Sequence, residues 1–214
     1  MGIRSRLAGA AVAALLLVLA AAAPAAAQRD SVLAVGVAAS VYHPSDEALE
    51  SPWGVGLIMR LRRHSGFGAT IGLGWFKTDV SGDIAGERTR LGTLLVRPLM
   101  VGVTYTRQYA KFSLAGSLLA GRAFNGLRHT GDADDAYASI GQPGTSIDIT
   151  DGFAWRTGFS IWWDLGSRFG LLTSIAYFSA HPEIVTTTPT AGTFRRPVDM
   201  SSPVFTVGIG YGIF

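Results

Sequence analysis

The sequence predicts an all-β fold, an eight-stranded antiparallel up-and-down transmembrane β-barrel. Three observations carry that expectation. Apolar residues recur at every second position in eight segments, and short links alternate with long polar ones between those segments. The chain beyond residue 27 is also strongly apolar without any helix-length apolar run. A period of two marks a strand whose two faces meet different surroundings. A spanning helix needs about 20 consecutive apolar residues, and Gly, Ser, Thr and Arg interrupt every such stretch here.

Before the first strand, Met1 to Arg6 carries two cations, Arg4 and Arg6. An apolar stretch runs from Leu7 to Ala23, and Ala25, Ala26 and Ala27 stand before Gln28. A charged start, an apolar middle and small residues at the end make the layout of a secretory signal peptide. Residues 1–27 are expected to be removed on export, which leaves 28–214 as one barrel domain. The remaining chain holds 16 basic and 15 acidic residues, and 16 of the 18 bases of the whole sequence are arginine. That near balance shows no nucleic-acid footprint. The absence of cysteine excludes disulfides and thiolate-bound metals.

The strands follow in order. Segment 31–42 alternates weakly. Segment 53–61 places Trp53, Val55, Leu57, Met59 and Leu61 on one face and Gly54, Gly56, Ile58 and Arg60 on the other. Segment 67–77 does the same with Phe67, Ala69, Ile71, Leu73 and Trp75. Segment 89–106 keeps phase from Leu99 to Tyr105 and loses it near Arg97 and Pro98, where a proline that cannot donate to a ladder predicts a bulge or irregularity. Segments 112–122 and 168–179 alternate weakly. Segment 153–163 alternates strongly, with Phe153, Trp155, Phe159, Ile161 and Trp163 on one face. The last segment sets Phe205, Val207, Ile209, Tyr211 and Ile213 against Thr206, Gly208, Gly210 and Gly212.

The links near 64–66, 107–110 and 164–167 are short, whereas 43–52, 78–88, 124–152 and 180–202 are longer and polar. Tight turns at one end and long loops at the other suit a barrel that crosses a membrane. Closure has a physical cause, because an unpaired backbone group in lipid costs several kcal/mol and an open sheet edge is not tolerated. The apolar face then meets lipid and the Gly-, Ser-, Thr- and Arg-rich face fills the interior. A soluble barrel binding a ligand inside is the rival, and it requires Leu57, Leu73, Ile161 and Ile209 to point inward. Aromatics cluster near segment ends: Trp53, Trp75, Trp155 and Tyr177 toward the long loops, and Phe67, Tyr105, Phe112, Trp163 and Phe169 toward the turns. Such rows fit interfacial belts.

With this layout and a terminal aromatic, Phe214, the chain resembles the small eight-stranded outer-membrane barrels of Gram-negative bacteria, the OmpA-, OmpX- and OmpW-like porin-family group. The resemblance covers about 31–214. It implies location in the cell outer membrane with both termini periplasmic, and Phe214 as a signal to the barrel-assembly machinery. Tyr211 lies three residues before Phe214, where the family commonly has an aromatic two before. The implied partners are outer-membrane lipid and lipopolysaccharide, with a monomeric state. An OmpW-like likeness implies a narrow route for small hydrophobic molecules, and an OmpX-like one implies surface adhesion or defence.

Chemistry-bearing residues are few. Arg60, Arg62 and Arg156 fall on the inner face, with Arg90, Arg97 and Arg122 as further candidates and Asp164 as a carboxylate to pair with them. Buried charges must be paired, so a mixed-charge plug and an anion-attracting lumen are both open readings. The inner glycines leave either a narrow cavity or a tightly curved wall. Segment 124–152 carries Asp132, Asp134, Asp135, Asp148 and Asp151, read as a solvated loop tip rather than a calcium loop. A lipid-A hydrolase built from His181 with Ser179 or Ser174 fails the family pattern, because Glu183 stands where a serine belongs. His64 lies in a turn. No catalytic residue, metal or cofactor is expected, and the expected role is structural or small-solute passage.

Overall fold

Residues two apart on a strand share a face, so alternating segments close with most of their apolar positions on one side. The computed structural model describes residues 31–213 except 64, 85, 167 and 191, with backbone alone at 31, 32, 62, 63 and 166. The expected signal peptide, His64, Phe214 and the side chain of Arg62 lie outside the described residues.

The elements are β1 (Ser31–Tyr42), β2 (Trp53–Arg63), β3 (Gly66–Ile84), β4 (Glu87–Tyr109), β5 (Phe112–His129), α1 (Gly131–Ser139), β6 (Ser146–Ile149), β7 (Gly152–Gly166), β8 (Phe169–Ala180), β9 (Glu183–Thr188), β10 (Gly192–Pro197) and β11 (Ser202–Gly212). Eight of them form a closed barrel in the order β1-β11-β8-β7-β5-β4-β3-β2, while β10, β9 and β6 make a separate three-stranded sheet. The last strand returns antiparallel to the first, with Val37 opposite Ile209 and Ser40 opposite Thr206. Closure leaves the eight barrel strands without a free edge, the most effective way to satisfy their backbone groups.

The apolar set faces outward. Leu57 is 45% exposed, Leu73 37%, Ile161 36% and Ile209 56%. That orientation excludes the soluble barrel with these residues inside. On the inner face Thr70, Thr104, Thr106, Ser113, Ser160 and Thr206 are buried. At the tight-turn end Tyr109 pairs with Phe112 across a two-residue turn. Its first residue, Ala110, has φ +44°. The turn into β3 uses Gly66 at φ +117°.

Three of the four expected polar loops are ordered instead. The 78–88 link is a continuation of β3 and β4, which pair out to Ile84 opposite Glu87. The 124–152 link holds the end of β5, then α1 and β6, and the 180–202 link holds β9 and β10. Strands β3, β4 and β5 therefore run 19, 23 and 18 residues, well beyond the roughly 9–11 that a tilted crossing needs. Their inner residues Val80, Ile84, Leu91, Leu94 and Val96 join Ala133 of α1, Ile147 and Ile149 of β6 and Ile184 of β9 in one buried apolar cluster. Burial of that cluster gives the loop-end segments a reason to fold.

The irregularity expected at Arg97 and Pro98 is a gap in the ladder without a shift of register, and the bulge itself lies elsewhere. The β3–β4 ladder omits the pairs opposite those two residues, but Leu73 pairs with Leu99 and Phe76 with Val96 in unchanged register. The shift occurs between Val80 and Ser81, where Gly92 and Arg90 are the successive partners and Leu91 is the extra residue.

Candidate functional site

The lumen is the part of the molecule where the sequence places its polar and charged inner residues, and it is filled in three layers. At the turn end stands Trp162, on the inner face of β7 and buried with Ala34 and Leu172, with Ile58 packed against them. Its Nε1 donates to Asp164 Oδ1 at 3.0 Å. Glycines seat this indole. A Cβ at Gly170 would lie 2.1 Å from Trp162 Nε1, and one at Gly210 2.1 Å from its Cη2. The inner glycines at these two positions thus leave neither an open cavity nor only a curved wall, because an aromatic ring occupies the space.

The middle layer is polar. Arg60 of β2 is buried, and its Nη2 donates to Ser160 Oγ at 3.3 Å. Arg156 of β7 donates from Nη2 to Ser174 Oγ at 3.4 Å and to Thr206 Oγ1 at 3.0 Å. Ser40 and Thr206 share a 2.8 Å hydrogen bond, as do Thr70 and Thr104 at 2.7 Å. A cavity of about 50 Å³ lies among these groups, lined by both arginines. A water needs about 10–15 Å³ by this kind of measure and organic ligands occupy pockets of roughly 300–1,000 Å³. The space holds a few small species and no larger solute.

The loop-end layer is aromatic. Tyr42 stacks on Phe76 with ring centroids 4.2 Å apart, and Phe178 meets each ring edge-on at 6.1 Å. Leu94, Val96 and Val204 are fully buried in the same cluster.

The sequence-derived candidates divide accordingly. Arg60 and Arg156 reach the lumen together, whereas Arg90, Arg97 and Arg122 do not: all three are exposed, on the outer side of the wall. Arg90 pairs with Asp79 at 2.5 Å and Arg122 with Asp151 at 3.4 Å. The expected carboxylate pairing of inner arginines is corrected at Arg156. Hydroxyls hold its guanidinium, and among the described residues no carboxylate lies within ion-pair distance of it. Parity explains Arg97, which shares its face with Val101 and Val103 while Pro98 and Met100 are buried on the opposite one, whereas Arg90 has the parity of the inward Leu94 and Val96 and is turned outward by the bulge at Leu91.

Trp53, Trp75 and Trp163 are exposed on the outer surface and Trp155 is half-buried there. Trp155 packs on Tyr177 with centroids 5.7 Å apart, Phe67 on Tyr105 at 5.1 Å, Phe112 on Trp163 at 6.3 Å and Phe169 on Tyr211 at 5.2 Å. The candidate hydrolase residues point to different partners. His181 Nε2 lies 3.3 Å from Asp199 Oδ1, Ser179 bonds Ser201 at 3.0 Å, and Ser174 accepts from Arg156. Asp199 is held below the ordinary carboxylate range chiefly by the Ser201 hydroxyl, then by the Ser201 N–H. Of the acids of 124–152, Asp132 and Asp134 stand in the first turn of α1, where the helix dipole favours negative charge.

The aromatic plugs escaped the sequence reading, although a signal was there. Phe76 and Trp162 are bulky residues on the glycine-bearing face of their segments, and an inner ring opposite inner glycines is a filled lumen.

No family model and no curated sequence matches the chain. Solved structures do resemble it. The outer membrane protein OprG of Pseudomonas aeruginosa superposes with a TM-score of 0.69 at 15% identity, covering 86% of this chain and 96% of that one. Outer Membrane Protein W of E. coli gives 0.55 at 12% identity over 86% and 98%. The outer membrane protein AlkL, determined in lipid bilayers, gives 0.53 at 14% identity over 86% and 90%. These likenesses show the fold, a small eight-stranded barrel.

Proposed function

We propose that the chain is an integral outer-membrane barrel with a structural, surface-presenting role and without catalysis. The observation that carries the reading is the apolar outer face bounded by two aromatic rows. From Trp155 to Trp163 on β7 is eight residue steps, roughly 26 Å along the strand at about 3.3 Å per residue. A strand tilt of about 35–45° reduces this to about 20 Å between the two rows, comparable with the roughly 25 Å apolar band of such barrels. Water would penalise that surface heavily, and lipid does not.

The orientation follows from the ends. The ordered loop-end cap, with α1 and the β6-β9-β10 sheet, faces outside the cell, and the start of β1 and end of β11 lie together on the periplasmic side. Above the aromatic row, exposed Lys77, Arg97, Arg122 and Arg128 stand on adjacent strands β3, β4 and β5. Cations there suit the phosphate groups of lipopolysaccharide as the neighbouring lipid. The similar barrels being outer-membrane proteins supports the same location.

Passage of solute along the axis is the weaker reading, because it requires moving both Trp162 and the Tyr42–Phe76–Phe178 cluster. The test combines fractionation, gel mobility with and without boiling, and planar-bilayer conductance. The barrel is expected in the outer-membrane fraction, migrating faster unboiled and adding no stepwise conductance. Recovery in the soluble periplasm with unchanged mobility overturns the membrane reading. A steady conductance replaces the structural role with passage.

A further inference from the structure

We propose that the outer wall of β3, β4 and β5 carries a seat for one phosphate monoester of a lipid A-type glycolipid, between Lys77 and Arg128. The proposal rests on the membrane reading above and adds that the lipid contact is a single site on one side of the barrel. The register builds the seat. Lys77 stands opposite Leu95 and Leu95 opposite Gly126, while Arg128 stands opposite Thr93 one step further from the apolar band. These five residues line one cleft of about 410 Å³. Gly126 keeps its floor open, because a Cβ there would meet nothing within 4 Å. At about 4.8 Å between strands and 3.3 Å per residue, Lys77 and Arg128 start roughly 12 Å apart, a gap two long side chains close around one phosphate.

The charge at this seat is unmatched. Among the described residues Lys77 and Arg128 make no ion pair, and neither does Arg97, opposite Phe124 in the aromatic row. The nearby carboxylate of Asp79 is already engaged by Arg90 and the Thr93 hydroxyl. A phosphate monoester brings about −1.5 to −2 charge and three acceptor oxygens, which suits an ammonium and a guanidinium fork together. The phosphodiester of an ordinary phospholipid carries only a single charge. Toward the membrane, Leu99, Val101 and Val103 continue the outer face of β4 and give acyl chains an apolar track below the headgroup. The arrangement is one-sided: among the described residues, the outward positions of β1, β2, β7, β8 and β11 carry no lysine or arginine.

The test refolds the full chain in detergent micelles doped with phosphorylated lipid A, with the same lipid after phosphatase treatment, or with phosphatidylglycerol. Native mass spectrometry counts the lipid retained, and heat-dependent gel mobility checks separately that the barrel has folded. The expected result is one phosphorylated lipid A per barrel, with the other two lipids retained about tenfold less. Lys77→Gln with Arg128→Gln should weaken that retention about tenfold or more. Gly126→Leu should weaken it comparably with every cation in place, because the new side chain fills the cleft. If one of these variants does not fold, the other carries the comparison. Arg107→Gln removes a cation from the turn end of β4, where it lies over the Tyr109 ring, and should change nothing. Equal retention of the three lipids, or an equal loss in Arg107→Gln, overturns the site. A heat-modifiable barrel that retains no lipid A refutes this site alone, whereas a chain that stays water-soluble without detergent and shows no mobility shift refutes the membrane reading beneath it.

Discussion

Trp162 and Gly210 share one volume: the indole stands where any side chain at 210 would stand, with a Cβ there 2.1 Å from the ring. The inner glycine of β11 is thus one half of a packing pair whose other half lies on β7. Gly210→Ala should cost about 1–3 kcal/mol, the usual penalty of overpacking a filled interior. Trp162→Ala should cost more, about 3–5 kcal/mol, by leaving a cavity. Combined, Gly210→Ala with Trp162→Ala should cost less than the sum of the two single changes, because the smaller side chain vacates the contested space. Denaturant unfolding of the refolded barrel measures each value, and strict additivity would argue that the two residues do not compete.

The two faces of β3 give a second expectation. Leu73 points outward and Gly72 inward, where a Cβ meets only Leu119 at 3.9 Å. In a bilayer, Leu73→Arg should destabilise by about 2–4 kcal/mol if the residue sits near the midplane. Gly72→Ala should be near neutral, within about 1 kcal/mol, since glycine in a strand interior is itself a weak choice. Folded fraction in lipid vesicles, read by unboiled gel mobility, separates them. Equal tolerance of both changes would contradict a lipid-facing outer surface.

How much of this was legible depended on whether a two-residue period survived. It survived where one face met the outside and the other a polar lumen, as along Trp53 to Leu61 and Phe205 to Tyr211, and there faces and strands were readable residue by residue. It failed at the β3–β4 bulge. Leu91 faces inward on one side of the shift and Leu94 and Val96 face inward on the other. The parity therefore changes within six residues, and the break was read at Pro98 instead. Strands β6, β9 and β10, of four to six residues, are too short to display a period. The nine residues of α1 bury only Ala133 fully and carry no apolar stripe. The lumen arginines were legible from parity, but Ser160 for Arg60 and Thr206 for Arg156 came from strands distant in sequence, a consequence of closure that no local pattern encodes.

The β4–β5 turn should be improvable. Ala110 holds φ +44°, a left-handed conformation that costs a residue with a Cβ about 1–2 kcal/mol and glycine little. Ala110→Gly is expected to stabilise the barrel modestly, by about 0.5–1 kcal/mol after the added freedom of the unfolded chain is subtracted. A higher midpoint of heat-dependent mobility at unchanged fold is the readout, and a lower one would mean the turn relies on the alanine side chain.

Beyond the aromatic row, the β3–β4 extension carries a pH-sensitive contact. The Asp79 carboxyl is held below the ordinary carboxylate range, first by the hydrogen bond from the Arg90 guanidinium and second by the Thr93 hydroxyl at 2.8 Å. A depressed folded-state pKa means that the unfolded chain takes up the proton first as pH falls. The contact's contribution is complete above the unfolded value, near about 3.9, and is lost as pH drops from there through the folded value. Both side chains are partly exposed, so screening keeps the effect small. Side-chain carboxyl NMR should place the Asp79 titration below that of an ordinary aspartate, and Arg90→Gln should move it upward. Amide exchange in the hairpin tip between Gly82 and Thr89 should quicken as the wild-type carboxyl protonates, while Asp79→Asn should remove that pH dependence. An Asp79 midpoint indifferent to Arg90→Gln would assign the depression to Thr93 instead.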